Sequence, residues 1–412
     1  MKTWIFLILL LTVASCQNAE KQYAYVEGKN IYSPQGERLH LKGVNLGNWL
    51  LPEGYMFKLR DCSSPRKIDQ AIRELIGNTA TTAFWDAFLD NYIVEADIKW
   101  LAEAGVNIIR LPFDYRLLTH DDFLGRDMHG YEYLDKAIEW CEKHNVYVLL
   151  DMHAAPGGQT GDNIDNSDGY PWLMVDEGMQ QQVCTIWQGL AKRYAGNTTV
   201  IGYNLLNEPI PQYFDQDDLK PNLEPLYKRI TKAIREVDNN HIVFVGGAVW
   251  ETDFSVFSEP FDDKLAYTFH KYWMPPVQEE IQQYIDFRDK YDVPILMGES
   301  GENEDAWVKA FRTLLDENDI HWTFWPYKKM DNTRGPMNFE KPAAYEDFTR
   351  YAESDRSTFG NIRALKDSLQ GINPEAVTTL LNQFVENSKF ENCYPNKGYC
   401  DALGLNYLSK SE

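Results

Sequence analysis

Two glutamates that are far apart in the sequence carry its strongest chemical signal. Glu208 ends the stretch NLLNE at residues 204–208, and Glu299 ends the stretch PILMGE at residues 294–299. Each follows a short apolar run, which is typical of a buried parallel strand. Two carboxylates at the same level can flank a glycosidic bond, and retaining hydrolysis needs them roughly 5–5.5 Å apart. A single glutamate at a strand end more often caps a loop or forms an ion pair, but the pair favours catalysis.

The elements that must position these glutamates follow a regular alternation. Short apolar runs occupy residues 39–44, 107–111, 146–152, 200–206, 242–246, 265–269, 294–298 and 322–325. Helical patterns are clearest at residues 84–104, 131–143, 176–194, 224–237, 277–290 and 304–318. This order predicts an α/β protein with a single (β/α)8 TIM barrel. The connections that follow the strands are long, so we expect loops to wall the C-terminal face, where barrel active sites lie.

The two ends of the chain differ from the barrel pattern. Residues 4–13 are almost all apolar and precede VASC at residues 13–16, which resembles a bacterial lipobox. We therefore expect a lipoprotein signal peptide at residues 1–15, acylation of Cys16, and a tether at residues 16–30. The barrel domain is predicted at residues 31–372, followed by a helical C-terminal extension at residues 373–412. This predicts export to a bacterial outer membrane or cell surface, with membrane contact only through the lipid; a periplasmic or secreted protein is the alternative.

Composition and cysteine spacing exclude several classes of function. The formal net charge of -22 argues against a nucleic-acid groove and favours a soluble, unassociated chain, so we expect a monomer. Cys393 and Cys400 flank a Pro/Asn/Gly-containing loop, which suggests a local disulfide in an exported protein. The sequence contains no zinc-site spacing, phosphate loop or dinucleotide fingerprint, so no metal and no organic cofactor is expected.

The ordered set of motifs resembles glycoside hydrolase family 5, whose clan carries the acid/base on strand four and the nucleophile on strand seven. The resemblance covers roughly residues 41–332 and implies that Glu208 is the general acid/base and Glu299 the nucleophile. It further implies three substrate-binding residues near them. Arg110, in IIRLP, would hold Glu299 ionised and oriented; His153, in LLDMH, would lie beneath the bound sugar; Asn207 would bind the sugar's 2-hydroxyl.

Three more residues follow from the same resemblance. His270 and Tyr272, in FHKYW at residues 269–273, would lie beside the two glutamates, and Tyr272 would donate a hydrogen bond to Glu299. Trp325, in WTFW at residues 322–325, would form the aromatic floor of the sugar site, because a ring covers the apolar face of a sugar.

A narrower resemblance points to the exo-β-1,3-glucanase branch of the family. It rests on GVNLGNWLLPE at residues 43–53, DMHAAPGGQ at residues 151–159 and WPYK at residues 325–328. It implies that Glu53 binds hydroxyls of the terminal glucose. The stretch GDNIDNS at residues 161–167 departs from the branch, because the aromatic residue that would clamp the next sugar is missing or moved.

These observations predict a retaining β-glycosidase that acts on β-glucans or β-gluco-oligosaccharides from their non-reducing ends, with β-1,3-glucan favoured. An endo-acting β-1,4-glucanase or β-mannanase would share the catalytic set and differ in its loops. A surface lipoprotein that binds glycans without cleaving them is a further alternative. Transglycosylation uses the same covalent intermediate and is not distinguished by sequence.

Overall fold

The structure is a computed structural model that describes residues 22–167 and 169–406. The predicted signal peptide and the lipidation residue Cys16 lie outside the described residues. Among the described residues, no helix is both long and apolar enough to cross a membrane.

Eight parallel strands close into a barrel in the order β10-β3-β4-β5-β6-β7-β8-β9, so the predicted TIM barrel is confirmed. Two strands precede it and three short ones follow. The strands are β1 (Tyr25–Glu27), β2 (Asn30–Tyr32), β3 (Lys42–Asn45), β4 (Ile108–Asp114), β5 (Tyr147–Ala154), β6 (Val200–Asn204), β7 (Ile242–Gly246), β8 (Leu265–His270), β9 (Ile295–Glu299), β10 (His321–Phe324), β11 (Lys328–Met330), β12 (Met337–Phe339) and β13 (Tyr394–Pro395). Nearly every residue of the barrel strands is buried, as their unbroken apolar runs require.

Helices fill most of the links between the barrel strands and form most of the C-terminal extension. They are α1 (Pro65–Ile76), α2 (Asn78–Asn91), α3 (Glu95–Glu103), α4 (Gly130–Lys143), α5 (Glu177–Tyr194), α6 (Gln216–Leu219), α7 (Leu223–Arg235), the single turn α8 (Ala248–Glu251), α9 (Gln278–Tyr291), α10 (Asp305–Glu317), α11 (Tyr345–Ala352), α12 (Phe359–Ser368), α13 (Pro374–Ser388) and α14 (Lys397–Leu403). The predicted helix at residues 84–104 is divided between α2 and α3. The Asp97 carboxylate accepts the Val94 N–H (2.9 Å) and so caps the N-terminus of α3.

Residues 22–30 are part of the folded domain, which corrects the prediction that residues 16–30 form a tether. β1 and β2 pair as an antiparallel hairpin. Ala24 and Ile31 pack in an apolar cluster inside the barrel, together with Leu41, Ile108 and Leu296. We call the part of the barrel that holds this cluster, towards the N-terminal ends of the strands, the lower barrel. The hairpin therefore closes the end of the barrel opposite the C-terminal ends of the strands.

The C-terminal extension packs on the barrel helices. α13 lies against α1 and α2, and the Phe384 ring stacks on Phe57 (4.9 Å between centroids). α14 packs against α10, and Asn406 N–H donates to the Ala104 carbonyl (2.9 Å), so α14 takes the place of an eighth barrel helix. α12, by contrast, buries only Leu365.

The predicted disulfide between Cys393 and Cys400 is wrong. Both residues are buried as thiols. The Cys393 Sγ donates to the Ser388 carbonyl (3.3 Å) and the Cys400 Sγ to the Pro336 carbonyl (3.5 Å). Each thiol is directed at a different backbone carbonyl, and the packing of α13 and α14 holds the segment without a covalent link.

Candidate active site

The predicted site residues converge at the C-terminal ends of the barrel strands. A cavity of about 560 Å³ opens there and is lined by seven of the nine, namely Glu53, His153, Glu208, His270, Tyr272, Glu299 and Trp325. Arg110 on β4 and Asn207 after β6 are fully buried and contact the lining residues. Because the strand ends of a barrel share one level, these nine residues, which come from seven strands or the segments that follow them, meet at or beside one cavity.

The two glutamates face each other across this cavity. Oxygens of Glu208 and Glu299 and a ring nitrogen of His270 all lie within 4.8 Å of one another. Such a close approach of the two carboxylates agrees with the roughly 5–5.5 Å of retaining glycosidases rather than with the inverting arrangement, which needs about 6.5–9.5 Å for an intervening water. The geometry therefore suits attack by one carboxylate and protonation by the other.

Arg110 organises the floor of the site around Glu299. Its Nη1 donates to Glu299 Oε1 and to Asn45 Oδ1 (3.0 Å), and its Nη2 donates to Asn207 Oδ1 (2.8 Å). The same Nη2 lies 2.9 Å from Asp151 Oδ1. A buried guanidinium needs such partners for all its donors, and in return it fixes the position of Glu299.

His153 and Trp325 line the cavity, and the fully buried Asn207 contacts His153. His153 Nδ1 lies 2.8 Å from Asp151 Oδ2, and its Nε2 lies 3.3 Å from Asn207 Nδ2. The His153 and Trp325 rings are stacked, with centroids 5.2 Å apart and planes within 9°. A β-carbon added to Gly47 would lie 2.6 Å from the Trp325 ring, so only glycine lets this ring take its place.

The electrostatics of the two glutamates differ. Burial, followed by the negative charge of Glu299, raises the pKa of Glu208 well above its ordinary value. Glu299 instead binds the Arg110 cation and accepts the Tyr272 hydroxyl at Oε2 (3.1 Å). A carboxyl group that keeps its proton suits a general acid, and a carboxylate held by a cation suits a nucleophile.

Glu251 is a buried acid that sequence reasoning missed. Its Oε1 accepts the backbone N–H of Glu208 (3.1 Å), and its Oε2 accepts the Thr268 hydroxyl and lies 3.4 Å from His270 Nε2. His270 Nδ1 in turn lies 2.9 Å from Glu208 Oε1. Glu251 thus binds the backbone of Glu208 directly, and the His270 ring lies between the carboxyl groups of Glu251 and Glu208.

The surroundings of Glu251 keep it and His270 uncharged. Burial raises the pKa of Glu251 to about 8, against the opposing effect of the Arg110 cation. Burial, followed by Arg110, lowers the pKa of His270 well below its ordinary value. A β-carbon on Gly246 would lie 2.3 Å from the Glu251 carboxyl carbon, so this close approach requires glycine. No local pattern marks Glu251, because the link that carries it has a weak helical signal.

Glu53 lines the cavity together with Tyr55 and Glu302, two residues that the motifs did not single out. Its Oε1 is buried and has no hydrogen-bond partner among the described residues. Burial, followed by Glu299 and Glu302, raises the pKa of Glu53 well above its ordinary value. Glu302 is held by Lys329 Nζ (2.7 and 2.8 Å), and Tyr55 accepts the Trp325 indole N–H (2.7 Å). Glu53 therefore offers an unused acceptor to a bound sugar.

Comparison with known proteins supports the same chemistry. Residues 70–331 match the family of cellulases, glycosyl hydrolase family 5. The chain is 30% identical to a beta-xylosidase of Phanerodontia chrysosporium, over 74% of this chain and 71% of that protein. It is 30% identical to Endoglucanase C of Acetivibrio thermocellus, over 59% and 86%, and 33% identical to a probable glucan 1,3-beta-glucosidase A of Emericella nidulans, over 47% and 48%.

Solved structures share the fold at low sequence identity. A rutinosidase from Aspergillus niger has a TM-score of 0.57 at 19% identity, covering 71% of this chain and 91% of that one. The catalytic domain of a Thermobifida fusca endoglucanase has a TM-score of 0.51 at 17% identity, covering 85% and 98%. An endogalactoceramidase has a TM-score of 0.60 at 15% identity, covering 93% and 84%.

Proposed function

The chain belongs to glycoside hydrolase family 5, and on that basis we propose that it is an exo-acting β-glucosidase of β-glucans, with β-1,3-linkages preferred. The family and its glycosidase relatives identify it as an O-glycoside hydrolase. The observation that carries the catalytic assignment is the pair of carboxyl groups, Glu208 and Glu299, whose oxygens lie within 4.8 Å.

The proposed reaction is a double displacement. A Glu299 oxygen attacks the anomeric carbon while the bond to the leaving oxygen breaks, and Glu208 gives its proton to that oxygen. A water molecule then attacks the same carbon, Glu208 takes a proton from the water, and the bond to Glu299 breaks. Glu208 is protonated at the end as at the start, now with a proton from the water, and neither step needs a redox partner.

In this proposal, four residues around the two glutamates support the reaction. Arg110 holds the Glu299 carboxylate in place, and Tyr272 donates a hydrogen bond to the same group, which tunes its attack. Asn207 is positioned by Arg110, and the family resemblance assigns it to the sugar's 2-hydroxyl in this proposal. Trp325 offers its ring to the apolar face of that sugar.

The exo-acting assignment is supported by the residues around Glu53. Glu53, Tyr55 and Glu302 line the same side of the cavity, and the buried Glu53 oxygen is free to accept a hydroxyl of a terminal sugar. A glucan 1,3-beta-glucosidase among the relatives agrees with the proposed linkage. Endoglucanase C, matched over 86% of its length, keeps an endo-acting β-1,4-glucanase as the second candidate.

Product sizing separates these candidates. Laminari-, cello- and manno-oligosaccharides are incubated with the enzyme, and the first products are measured by chromatography. We expect glucose as the first product and the fastest turnover on laminari-oligosaccharides. A ladder of mid-length products would contradict exo action, and faster release from cello- or manno-oligosaccharides would contradict the proposed linkage.

Two isosteric variants test the catalytic pair. Glu208→Gln removes the acid/base and is expected to lower kcat about 10²- to 10⁴-fold. Glu299→Gln removes the nucleophile and is expected to abolish the covalent intermediate. Unchanged activity in either variant would favour the alternative of a glycan-binding protein without catalysis. Burst kinetics with an activated β-glucoside reports the intermediate directly.

We also propose that the protein is exported and anchored by a lipid on Cys16. The support is the sequence alone, since Cys16 lies outside the described residues: a short apolar run leads to VASC at residues 13–16.

A further inference from the structure

Glu251 is a buried carboxyl group beside the catalytic acid that takes no part in the double displacement. It ends the turn α8, in which three consecutive residues have left-handed backbone conformations, with φ of 55° at Val249, 58° at Trp250 and 60° at Glu251. Such conformations are costly for residues other than glycine, persist only where surrounding contacts enforce them, and cluster at functional sites. A strained turn that brings a buried acid to Glu208 therefore points to a role in the reaction.

Two hydrogen bonds join this turn to the loop that carries the acid. Glu251 Oε1 accepts the Glu208 N–H (3.1 Å), and the Val249 N–H donates to the Ile210 carbonyl (3.0 Å). Glu208 and Ile210 are themselves in left-handed conformations, with φ of 49° and 58°. The turn thus holds the strained backbone from which the Glu208 side chain enters the cavity.

The contacts around Glu251 are all satisfied when its carboxyl group is neutral. Oε1 accepts the Glu208 N–H, so the proton lies on Oε2, which also accepts the Thr268 hydroxyl. Oε2 lies 3.4 Å from His270 Nε2, a buried nitrogen that has no hydrogen bond among the described residues. Hydrogen bonds in active sites are often long before substrate binds and tighten in the complex. Glu251 is therefore placed to donate its proton to His270 Nε2.

This donor decides where the proton of His270 lies. A neutral imidazole carries one ring proton, so a ring that accepts at Nε2 is protonated at Nδ1. Nδ1 lies 2.9 Å from Glu208 Oε1 and would donate to it. Because Oε1 then accepts a hydrogen bond, the acid proton of Glu208 lies on Oε2, away from the histidine and free for the leaving oxygen. A charged Glu251 would instead bind Nε2–H, and the bare Nδ1 would compete for the acid proton.

The surroundings favour the uncharged form of both groups. Burial raises the pKa of Glu251 to about 8, although the Arg110 cation opposes it, and burial lowers the pKa of His270 well below its ordinary value. The charged and titratable groups that act on Glu251 or respond to it, among the described residues, are Arg110 on β4, Asp151 on β5, Glu208 after β6, Tyr227 on α7, His270 on β8 and Tyr284 on α9.

We propose that Glu251 is a positioning residue for the reaction, whose proton fixes the tautomer of His270 and so directs the acid proton of Glu208 toward the leaving group. The proposal rests on the proposed function, because it takes Glu208 as the acid. After that proton has left, His270 Nδ1–H stabilises the Glu208 carboxylate that must take a proton from water.

The tautomer of His270 can be measured directly. Protonated and bare ring nitrogens differ in chemical shift in the NMR spectrum of ¹⁵N-histidine-labelled protein, and the His270 signals are assigned by their loss in His270→Gln. At pH 6 we expect the Nδ1–H form in the wild type and in Glu251→Gln, whose amide still donates to Nε2. In Glu251→Ala the donor is gone, and we expect a shift to the Nε2–H form. An Nε2–H ring in the wild type, or an unchanged Nδ1–H ring in Glu251→Ala, overturns the proposal.

Leaving-group dependence separates positioning from a merely structural role. kcat/KM is measured on phenyl β-glucoside, whose leaving oxygen needs a proton, and on 2,4-dinitrophenyl β-glucoside, whose leaving oxygen does not. In Glu251→Ala we expect kcat/KM to fall about 10- to 100-fold on the first substrate and less than about threefold on the second. Glu251→Gln should stay within about threefold of the wild type on both.

The matched control is Asp238→Ala, which removes another buried carboxyl group beside a histidine. Asp238 contacts His241 and accepts the Tyr203 hydroxyl (2.7 Å) ahead of β7, at the end of the barrel away from the cavity. This variant should keep the wild-type ratio of kcat/KM on the two glucosides. Equal losses on both glucosides in Glu251→Ala would overturn the positioning role and leave the glucosidase assignment standing. A wild type that hydrolyses neither glucoside overturns the proposed glucosidase, and the NMR measurement then still decides whether Glu251 sets the tautomer.

Discussion

At the residue scale, Glu208 and Glu299 are held by buried partners that reach them from distant parts of the chain, among them Arg110 and Glu251. Glu208 and Glu299 end apolar strands, and strand ends of a barrel meet by construction, so local patterns were sufficient. Three further charged residues near the site lie on short segments whose positions depend on tertiary packing: Glu251 at the end of α8, Glu302 in a loop and Lys329 on β11. Gln159 joins two strand ends by donating to the carbonyls of His153 and Asn207 (2.7 and 2.9 Å). The sequence motif that contains Gln159 was recognised, but the two carbonyls that this side chain binds can be identified only from the structure.

The raised pKa of Glu251 predicts the direction in which stability changes with pH. Its pKa is about 8 in the folded protein and near 4.5 in the unfolded chain, so the folded protein binds more protons between these values. Stability therefore falls as pH rises through this window, with a slope of up to about 1.4 kcal/mol per pH unit from this group. Glu251→Gln mimics the protonated acid and should remove that slope. Urea unfolding at pH 5, 6, 7 and 8 measures it.

A second variant separates charge from hydrogen bonding at this position. Glu251→Ala also removes the titration, but it leaves the buried Glu208 N–H without an acceptor, at a cost of about 1–3 kcal/mol. At pH 5 we expect Glu251→Ala to be less stable than the wild type, whereas Glu251→Gln should be about as stable as the wild type. Parallel stability curves for the wild type and Glu251→Gln across the pH series would contradict the assignment of a neutral buried acid.

At the element scale, the barrel strands were predicted within a few residues, because continuous burial on both faces leaves an unambiguous apolar run. The helix boundary at Val94 was missed, since its cap is a side-chain contact from Asp97 inside an otherwise periodic pattern. The N-terminal hairpin was missed as well. Its strands are only three residues long, which is too short for an alternating pattern, and their apolar partners lie on six barrel strands and at Leu41, just before β3.

The hairpin makes a testable contribution to stability at a distance from the active site. Ile31 is fully buried in the lower barrel, so Ile31→Ala should lower the free energy of unfolding by about 2–5 kcal/mol. The matched control Ile362→Ala, at a residue that is 47% exposed on α12, should change it by less than about 0.5 kcal/mol. Urea unfolding measures both. A cost for Ile31→Ala as small as that of the control would show that the hairpin does not close the barrel.

At the scale of the whole molecule, the two ends of the barrel have separate tasks. The cavity lies at the C-terminal ends of the strands, whereas the hairpin closes the opposite end. The described chain starts at that closed end, where the Tyr23 hydroxyl donates to the Ala195 carbonyl (3.0 Å) and Ala24 enters the lower apolar cluster. A lipid on Cys16, six residues before the first described residue, would attach the closed end to a membrane. The cavity would then face away from the lipid and toward a glucan chain.

This orientation predicts that anchoring leaves catalysis unhindered. When the full chain is expressed in a Gram-negative bacterium, we expect activity in the membrane fraction, and the substitution Cys16→Ala should move it to the soluble fraction. The kcat/KM of the membrane-bound enzyme on soluble laminari-oligosaccharides should equal that of the released variant, because the cavity is not occluded. A membrane-bound activity that rises only after detergent is added would contradict an outward-facing cavity, and unchanged membrane partitioning of Cys16→Ala would contradict the anchor itself.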